Sequence, residues 1–230
     1  MKDVIVACDF SSARETYNFL DNFVDVKPYV KIGMELFYSC GPVIVREIKA
    51  RGHKIFLDLK LHDIPNTVRR AAAALGGLGA DMANIHAAGG SEMMKAALEG
   101  FRESGKDTLV IAVTQLTSIS AAQLKEELLI ERGMEAVVAQ YAYNAKAAGL
   151  GGVVCSPFEA RAVKNVCGED FAAVTPGIRF ADSAADDQTR IATPAKAREL
   201  GSDYIVVGRP ITRAGDPVNA YKECVAQFLG

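Results

Sequence analysis

Phe56-Leu57-Asp58-Leu59-Lys60-Leu61-His62-Asp63-Ile64-Pro65-Asn66-Thr67 begins as a strand and ends as a helix. Successive side chains of a strand point to opposite faces, so Asp58 and Lys60 share one face. Leu57, Leu59 and Leu61 take the other face, the one that packs on helices. The strand is expected over 54–59 and the helix over 66–78, with Pro65 preset for the helix entry. An Asp and a Lys at the carboxyl end of a strand that is otherwise leucine-backed is the pattern of a parallel sheet with helices on its outer face.

The same unit recurs along the chain. Short apolar or β-branched runs predict strands at 4–8, 29–32, 82–85, 109–113, 153–155, 172–174 and 204–207. Longer amphipathic stretches predict helices at 12–22, 42–50, 91–100, 134–148, 157–166, 194–200 and 217–228. Eight strand–helix units in an unbroken series predict a (β/α)8 TIM barrel, folded as a single domain over residues 1–230. A doubly wound open sheet is the alternative. It usually carries a glycine fingerprint after its first strand, but here that strand runs into Cys8-Asp9-Phe10-Ser11. Two connections are longer than a barrel needs: 114–133, with a short helix at 121–129, and 176–193. Both leave carboxyl ends of strands, the face on which barrel enzymes keep their sites.

On that face the first two strands also end in charge, at Asp9 and Lys31. A single charged residue at a strand end is more often solvated or salt-bridged than functional. Two acids and two bases brought to one barrel mouth carry a desolvation cost that packing has no need of, which marks them as a site. Lys60 flanked by Asp58 and Asp63 is expected to stay an ammonium, because neighbouring carboxylates favour the charged form. That suits a proton donor or electrostatic anchor and argues against a Schiff base, which needs a neutral amine. The loops after the seventh and eighth strands, where barrels commonly hold phosphate, carry Arg179, Gln188, Gly208 and Arg209. A glycine lets backbone N–H groups approach an anion, and an arginine offers a planar fork to its oxygens.

Asp58-x-Lys60-x-x-Asp63 followed by Ile64-Pro65-Asn66-Thr67 resembles the signature of the orotidine 5′-monophosphate decarboxylase family, and the resemblance extends over essentially the whole chain. It implies decarboxylation of orotidine 5′-monophosphate to uridine 5′-monophosphate, the last step of de novo pyrimidine synthesis, with no metal or cofactor. It implies catalytic roles for Lys60, Asp58, Asp63 and Lys31, with Lys60 as proton donor. Asp9 and Lys31 stand where the family contacts ribose, and Leu116-Thr117-Ser118 is similar to its pyrimidine-contacting loop. Thr175-Pro176-Gly177-Ile178-Arg179, Gln188 and Val207-Gly208-Arg209-Pro210 resemble its phosphate-gripping elements. The resemblance further implies a homodimer with shared active sites, in which Asp63, Ile64 and Thr67 reach the partner's barrel. A sugar-phosphate decarboxylase or hexulose-phosphate synthase would keep the Asp-x-Lys-x-x-Asp core and bind magnesium. A non-catalytic nucleotide-binding protein is the third reading, and the intact Lys60 argues against it.

Composition excludes other classes. Against 28 acidic residues stand 26 basic ones, intermixed, and no Lys/Arg block offers a face for nucleic acid. The first apolar run ends at Asp9, too short for a membrane span or signal sequence, so a cytoplasmic protein is expected. Cys8, Cys40, Cys155, Cys167 and Cys224 form no C-x-x-C pair and read as idle thiols. His53, His62 and His86 lack metal-ligand spacing; structural or supporting roles are expected for His62 and His86.

Overall fold

A computed structural model describes residues 2–180 and 191–230. Eight parallel strands close a barrel in sequential order: β1 (Asp3–Ala7), β2 (Tyr29–Gly33), β3 (Ile55–Leu61), β4 (Met82–His86), β5 (Leu109–Val113), β6 (Gly152–Val154), β7 (Ala172–Thr175) and β8 (Tyr204–Val207), with β8 pairing back onto β1. The expected TIM barrel is therefore observed. Helices between the strands are α1 (Ala13–Leu20), α2 (Met34–Cys40), α3 (Val43–Ala50), α4 (Pro65–Gly76), α5 (Gly90–Glu103), α6 (Ala121–Glu126), α7 (Met134–Ala147), α8 (Ala160–Cys167) and α9 (Pro194–Leu200); α10 (Arg209–Thr212) and α11 (Pro217–Leu229) follow β8.

Period-two alternation divides the core in two. Ile5, Tyr29, Phe56, Met82, Ile111, Val174 and Val206 fill the barrel interior. Their neighbours in sequence, including Val4, Val30, Leu57, Ala83 and Ile205, face the helices. Helix entries are fixed by side-chain caps: Ser12, Thr193 and Asp216 each accept a backbone N–H from the first turn, and Ser120 makes a reciprocal capping box with Gln123. The close approach of α4 to α5 depends on Gly100, where an added Cβ would stand 2.1 Å from the Arg69 carbonyl oxygen.

Several boundaries differ from the sequence expectation. β3 continues to Leu61 rather than stopping at 59, so Lys60 belongs to the strand. Met34–Cys40 and Arg209–Thr212 are helical where no helix was expected, both immediately after strand ends and both too short to show an amphipathic period. The helix expected over 121–129 ends at Glu126, and Leu129 takes a left-handed φ of 57°. All five cysteines are free, as read from the sequence. Among the described residues no helix is long and apolar enough to cross a membrane.

Candidate active site

The carboxyl ends of the strands enclose a cavity of about 900 Å³. On its floor the four charges expected to meet do so. Lys31, inward-facing on β2, bridges two carboxylates: its Nζ lies 2.8 Å from Asp9 Oδ1 and 3.3 Å from Asp58 Oδ2. Lys60 Nζ donates to the other Asp58 oxygen, Oδ1, at 2.7 Å. The charges thus alternate, Asp9–Lys31–Asp58–Lys60, across the first three strands. Gly33 keeps room for this chain, since a Cβ there would come within 3.1 Å of both Asp9 Oδ1 and Lys31 Nζ.

Burial and pairing pull the ionisations in opposite directions, and pairing wins. Burial alone would raise the Asp58 carboxyl, but the Lys31 and Lys60 ammonium groups, with hydrogen bonds from Lys60 and Asn84, hold it below the usual carboxylate range. Burial alone would lower Lys31, but Asp58 and Asp9 keep it above the usual lysine value. Asp58 and Lys31 are therefore both charged at neutral pH.

Lys60 has an unusual backbone for a strand residue, with φ 53°. Between β3 and β4 the register slips: Leu57 pairs with Ala83, but Leu61 with Ile85. The Lys60 backbone N–H leaves the ladder and donates instead to Asn84 Oδ1 at 2.8 Å, while Asn84 Nδ2 donates to Asp58 Oδ1 at 2.7 Å.

The rest of the wall comes from loops. Thr117 and Ser118 line the cavity beside Gln115 and Leu116. Pro176, Gly177 and Arg179 after β7, with Gly208, Arg209 and Arg213 after β8, also line it, so three arginines contribute to this wall. Arg179 is buried, and its own guanidinium donates to the Ile178 carbonyl at 2.8 Å. The Arg179 N–H donates to the Ala192 carbonyl and the Ala192 N–H to Gly177, which ties Gly177–Arg179 to the chain re-entering ahead of α9. Gln188 lies outside the described residues.

Not every expected residue joins this group. Asp63 makes no ion pair with Lys60 in its own chain; its carboxylate accepts the Ile64 N–H at 2.6 Å. Asp63, Ile64 and Thr67 all face outward at the entry to α4, and the Ile64 side chain is 68 % exposed. His62 is exposed just past β3, and its ring stands 5.4 Å from that of His86. Burial, with the His62 and Lys60 charges adding, lowers the pKa of His86 and favours the neutral imidazole. Among the described residues no three His, Cys, Asp or Glu side chains converge as metal ligands. Sequence reading passed over Asn84, Gln115 and Arg213, all of which line the cavity. Asn84 carried a usable signal: it shares the parity of Met82, so a strand at 82–85 turns it inward.

A closed parallel barrel with an acid–base network at the carboxyl ends of its strands and an arginine-rich wall beside it defines the class of barrel proteins that take small anionic ligands at that face. The chain belongs to the orotidine 5′-phosphate decarboxylase / HUMPS family, whose profile matches residues 2–224. It is 54 % identical to the orotidine 5′-phosphate decarboxylase of Bacillus cytotoxicus, over all of this chain and 98 % of that protein. The same identity and coverage hold for the Bacillus mycoides protein of that name. Among solved structures, the orotidine 5′-phosphate decarboxylase of Lactobacillus acidophilus superposes with a TM-score of 0.90 at 42 % identity, covering 100 % of both chains. An uncharacterized conserved protein from Geobacillus kaustophilus superposes with a TM-score of 0.88 at 48 % identity, covering 98 % of this chain and 99 % of its own.

Proposed function

We propose that the protein converts orotidine 5′-monophosphate to uridine 5′-monophosphate and carbon dioxide, closing de novo pyrimidine synthesis in the cytoplasm, by direct decarboxylation without a cofactor. The carrying observation is the Lys60 ammonium held 2.7 Å from Asp58 in the cavity that Arg179, Arg209 and Arg213 also line. The names of relatives 54 % identical over the full chain support the substrate.

In this reading the bond from C6 of the pyrimidine to its carboxylate breaks, and the electron pair stays on C6. The Lys60 ammonium stabilises that charge and then gives C6 a proton, which the amine recovers from water. Asp58 sits beside the substrate carboxylate, so loss of carbon dioxide relieves a like-charge contact. Lys31, with Asp63, holds Lys60 in place before the substrate arrives. Asp9 and Lys31 take the ribose, and Thr117 and Ser118 the pyrimidine. Pro176, Arg179, Gln188, Gly208 and Arg209 take the phosphate, whose binding energy is available to the chemistry at the ring.

The working unit in this proposal is a homodimer of single-domain barrels. Asp63, Ile64 and Thr67 complete the partner's site, in keeping with their outward placement and the missing Asp63–Lys60 pair.

The deciding experiment follows loss of orotidine 5′-monophosphate by ultraviolet absorbance after exhaustive EDTA treatment. Full turnover is expected. Activity that vanishes with EDTA and returns with magnesium would replace this reading with the hexulose-phosphate-synthase side of the family.

A further inference from the structure

We infer that Asn84 is a positioning residue for the reaction: its side-chain amide ties the backbone of Lys60 to the carboxylate of Asp58 and so fixes where the Lys60 ammonium points. The inference rests on the decarboxylase reading for its chemistry and on the geometry of β3 and β4 for its mechanism.

From one paired position to the next, β3 advances from Leu57 to Leu61 while β4 advances only from Ala83 to Ile85. The extra length on β3 is even, so Asp58 and Lys60 both keep the inward face while the ladder opens between them. An open ladder leaves a buried N–H without its usual carbonyl, and an unmet buried donor costs about 1–3 kcal/mol. At the same point Lys60 holds a left-handed φ of 53°, a conformation that a non-glycine residue keeps only when its surroundings enforce it. Asn84 answers both demands. Its Oδ1 accepts the Lys60 N–H at 2.8 Å, which holds the distorted peptide in place. Its Nδ2 donates at 2.7 Å to Asp58 Oδ1, the same oxygen that receives Lys60 Nζ at 2.7 Å. Backbone, carboxylate and ammonium are thereby locked through one planar group. Turning the amide over would set a donor against the Lys60 N–H and an oxygen against the carboxylate, so the network admits a single orientation.

The location suits positioning rather than bulk packing. Asn84 is 2 % exposed and stands one inward step above Met82 in the apolar barrel interior. An aliphatic residue would fill the space but strand the Lys60 N–H and take a donor from Asp58. The charged and titratable groups around Asp58 are Lys31 from β2, which also binds Asp9, Lys60 on β3 itself, and His86 from the end of β4, which faces His62. Among these residues and Asn84, only Asn84 both accepts the Lys60 N–H and donates to the Asp58 carboxylate from a single side chain.

Two variants separate positioning from simple structural support. Asn84→Ala removes acceptor and donor together. Asn84→Asp keeps an acceptor for the Lys60 N–H but sets a second carboxylate against Asp58. If positioning is the role, Asn84→Ala lowers kcat by about a hundredfold with KM for orotidine 5′-monophosphate within about threefold of wild type. Asn84→Asp is impaired at pH 8 and gains on wild type as pH falls towards 5. Two adjacent carboxylates come to share a proton, and the protonated acid restores the donor. The groups common to both enzymes, His86 and His62 included, cancel in that ratio.

Protein carrying ¹³C-labelled aspartate supplies a readout that needs no turnover. With the Asp58 signal assigned through Asp58→Asn, its titration should move to higher pH in either variant, since a donor to the carboxylate is gone. Should Asn84→Ala not fold, Asn84→Asp carries both measurements. Wild-type protein that fails to turn over orotidine 5′-monophosphate counts against the decarboxylase reading, and the Asp58 titration then decides on Asn84 alone. An unmoved Asp58 titration, or a ratio of Asn84→Asp to wild-type kcat that stays flat from pH 8 to pH 5, overturns the inference.

Discussion

Lysine–aspartate pairs close both ends of this barrel, and they are built in opposite ways. At the amino-terminal end, Lys164 of α8 meets Asp203, the residue before β8, at 2.5 Å. The same ammonium also donates to the carbonyls of Glu169 at 2.7 Å and Phe171 at 2.9 Å, so all three of its N–H bonds are committed. Asp203 in turn accepts the Ala173 N–H at 2.8 Å. Lys49 and Asp81 repeat the arrangement, with Asp81 accepting the Ile55 N–H at 2.8 Å. Both pairs fasten a helix to the start of a strand, and Lys164 has no N–H bond left to give. At the carboxyl-terminal end, Lys60 donates to Asp58 at 2.7 Å and lines the cavity. Lys164 is a staple with its protons all assigned, whereas the proposed reaction asks Lys60 for a proton. The residue types alone do not distinguish the two.

The largest expected effect comes from Lys60→Ala. Turnover of orotidine 5′-monophosphate should fall by at least about a thousandfold, while uridine 5′-monophosphate still binds through contacts elsewhere in the cavity. If about a tenth of wild-type kcat survived, Lys60 would belong with the staples.

Lys164→Met tests the other half of the comparison. It takes the ammonium from a partly buried carboxylate and from two carbonyls and should destabilise the fold by about 3 kcal/mol in urea denaturation, with kcat unchanged well below the melting temperature. A loss of activity in fully folded protein would mean that the two ends are coupled.

A smaller signal asks whether the carboxyl-terminal end is complete within one chain. Lys60→Ala and Asp63→Asn proteins, each expected to be inactive alone, are dissociated, mixed in equal amounts and reassociated. With Asp63 working across the dimer, about half the dimers are hybrids and about a quarter of wild-type sites return. Hybrids present without recovered activity would confine Asp63 to its own chain.

The smallest effect is one of slope. The Asp58 carboxyl is held below its usual value in the fold, so the stability it contributes is full above about pH 4 and is lost as pH falls through the depressed native value. Lys31 is raised, so its contribution is full below about pH 10 and is lost as pH climbs through the native value. Urea denaturation of wild type and Asp58→Asn should therefore show the difference between them moving against the wild type below about pH 4. A constant difference across that window would show that Asp58 is not stabilised as an anion.

The segment from Phe56 to Thr67 was enough to place Asp58 and Lys60 on one face, and its eightfold recurrence was enough for a barrel, because alternation and amphipathic period are local properties of a chain. Charge at Asp9, Lys31, Asp58 and Lys60 was legible on the same ground, since strand ends that share a barrel mouth must bring their side chains together. The short helices α2 and α10 were not legible, being too short to display a period. Other features were decided only in three dimensions: that Lys31 bridges two carboxylates, that β3 slips against β4, that Lys60 takes a left-handed backbone and that Asp63 turns away from it. The amide of Asn84 meets Lys60 and Asp58 across 24 and 26 residues of chain. No local pattern encodes such a contact. It exists because strand register sets residues side by side, and register is settled by how the whole barrel closes.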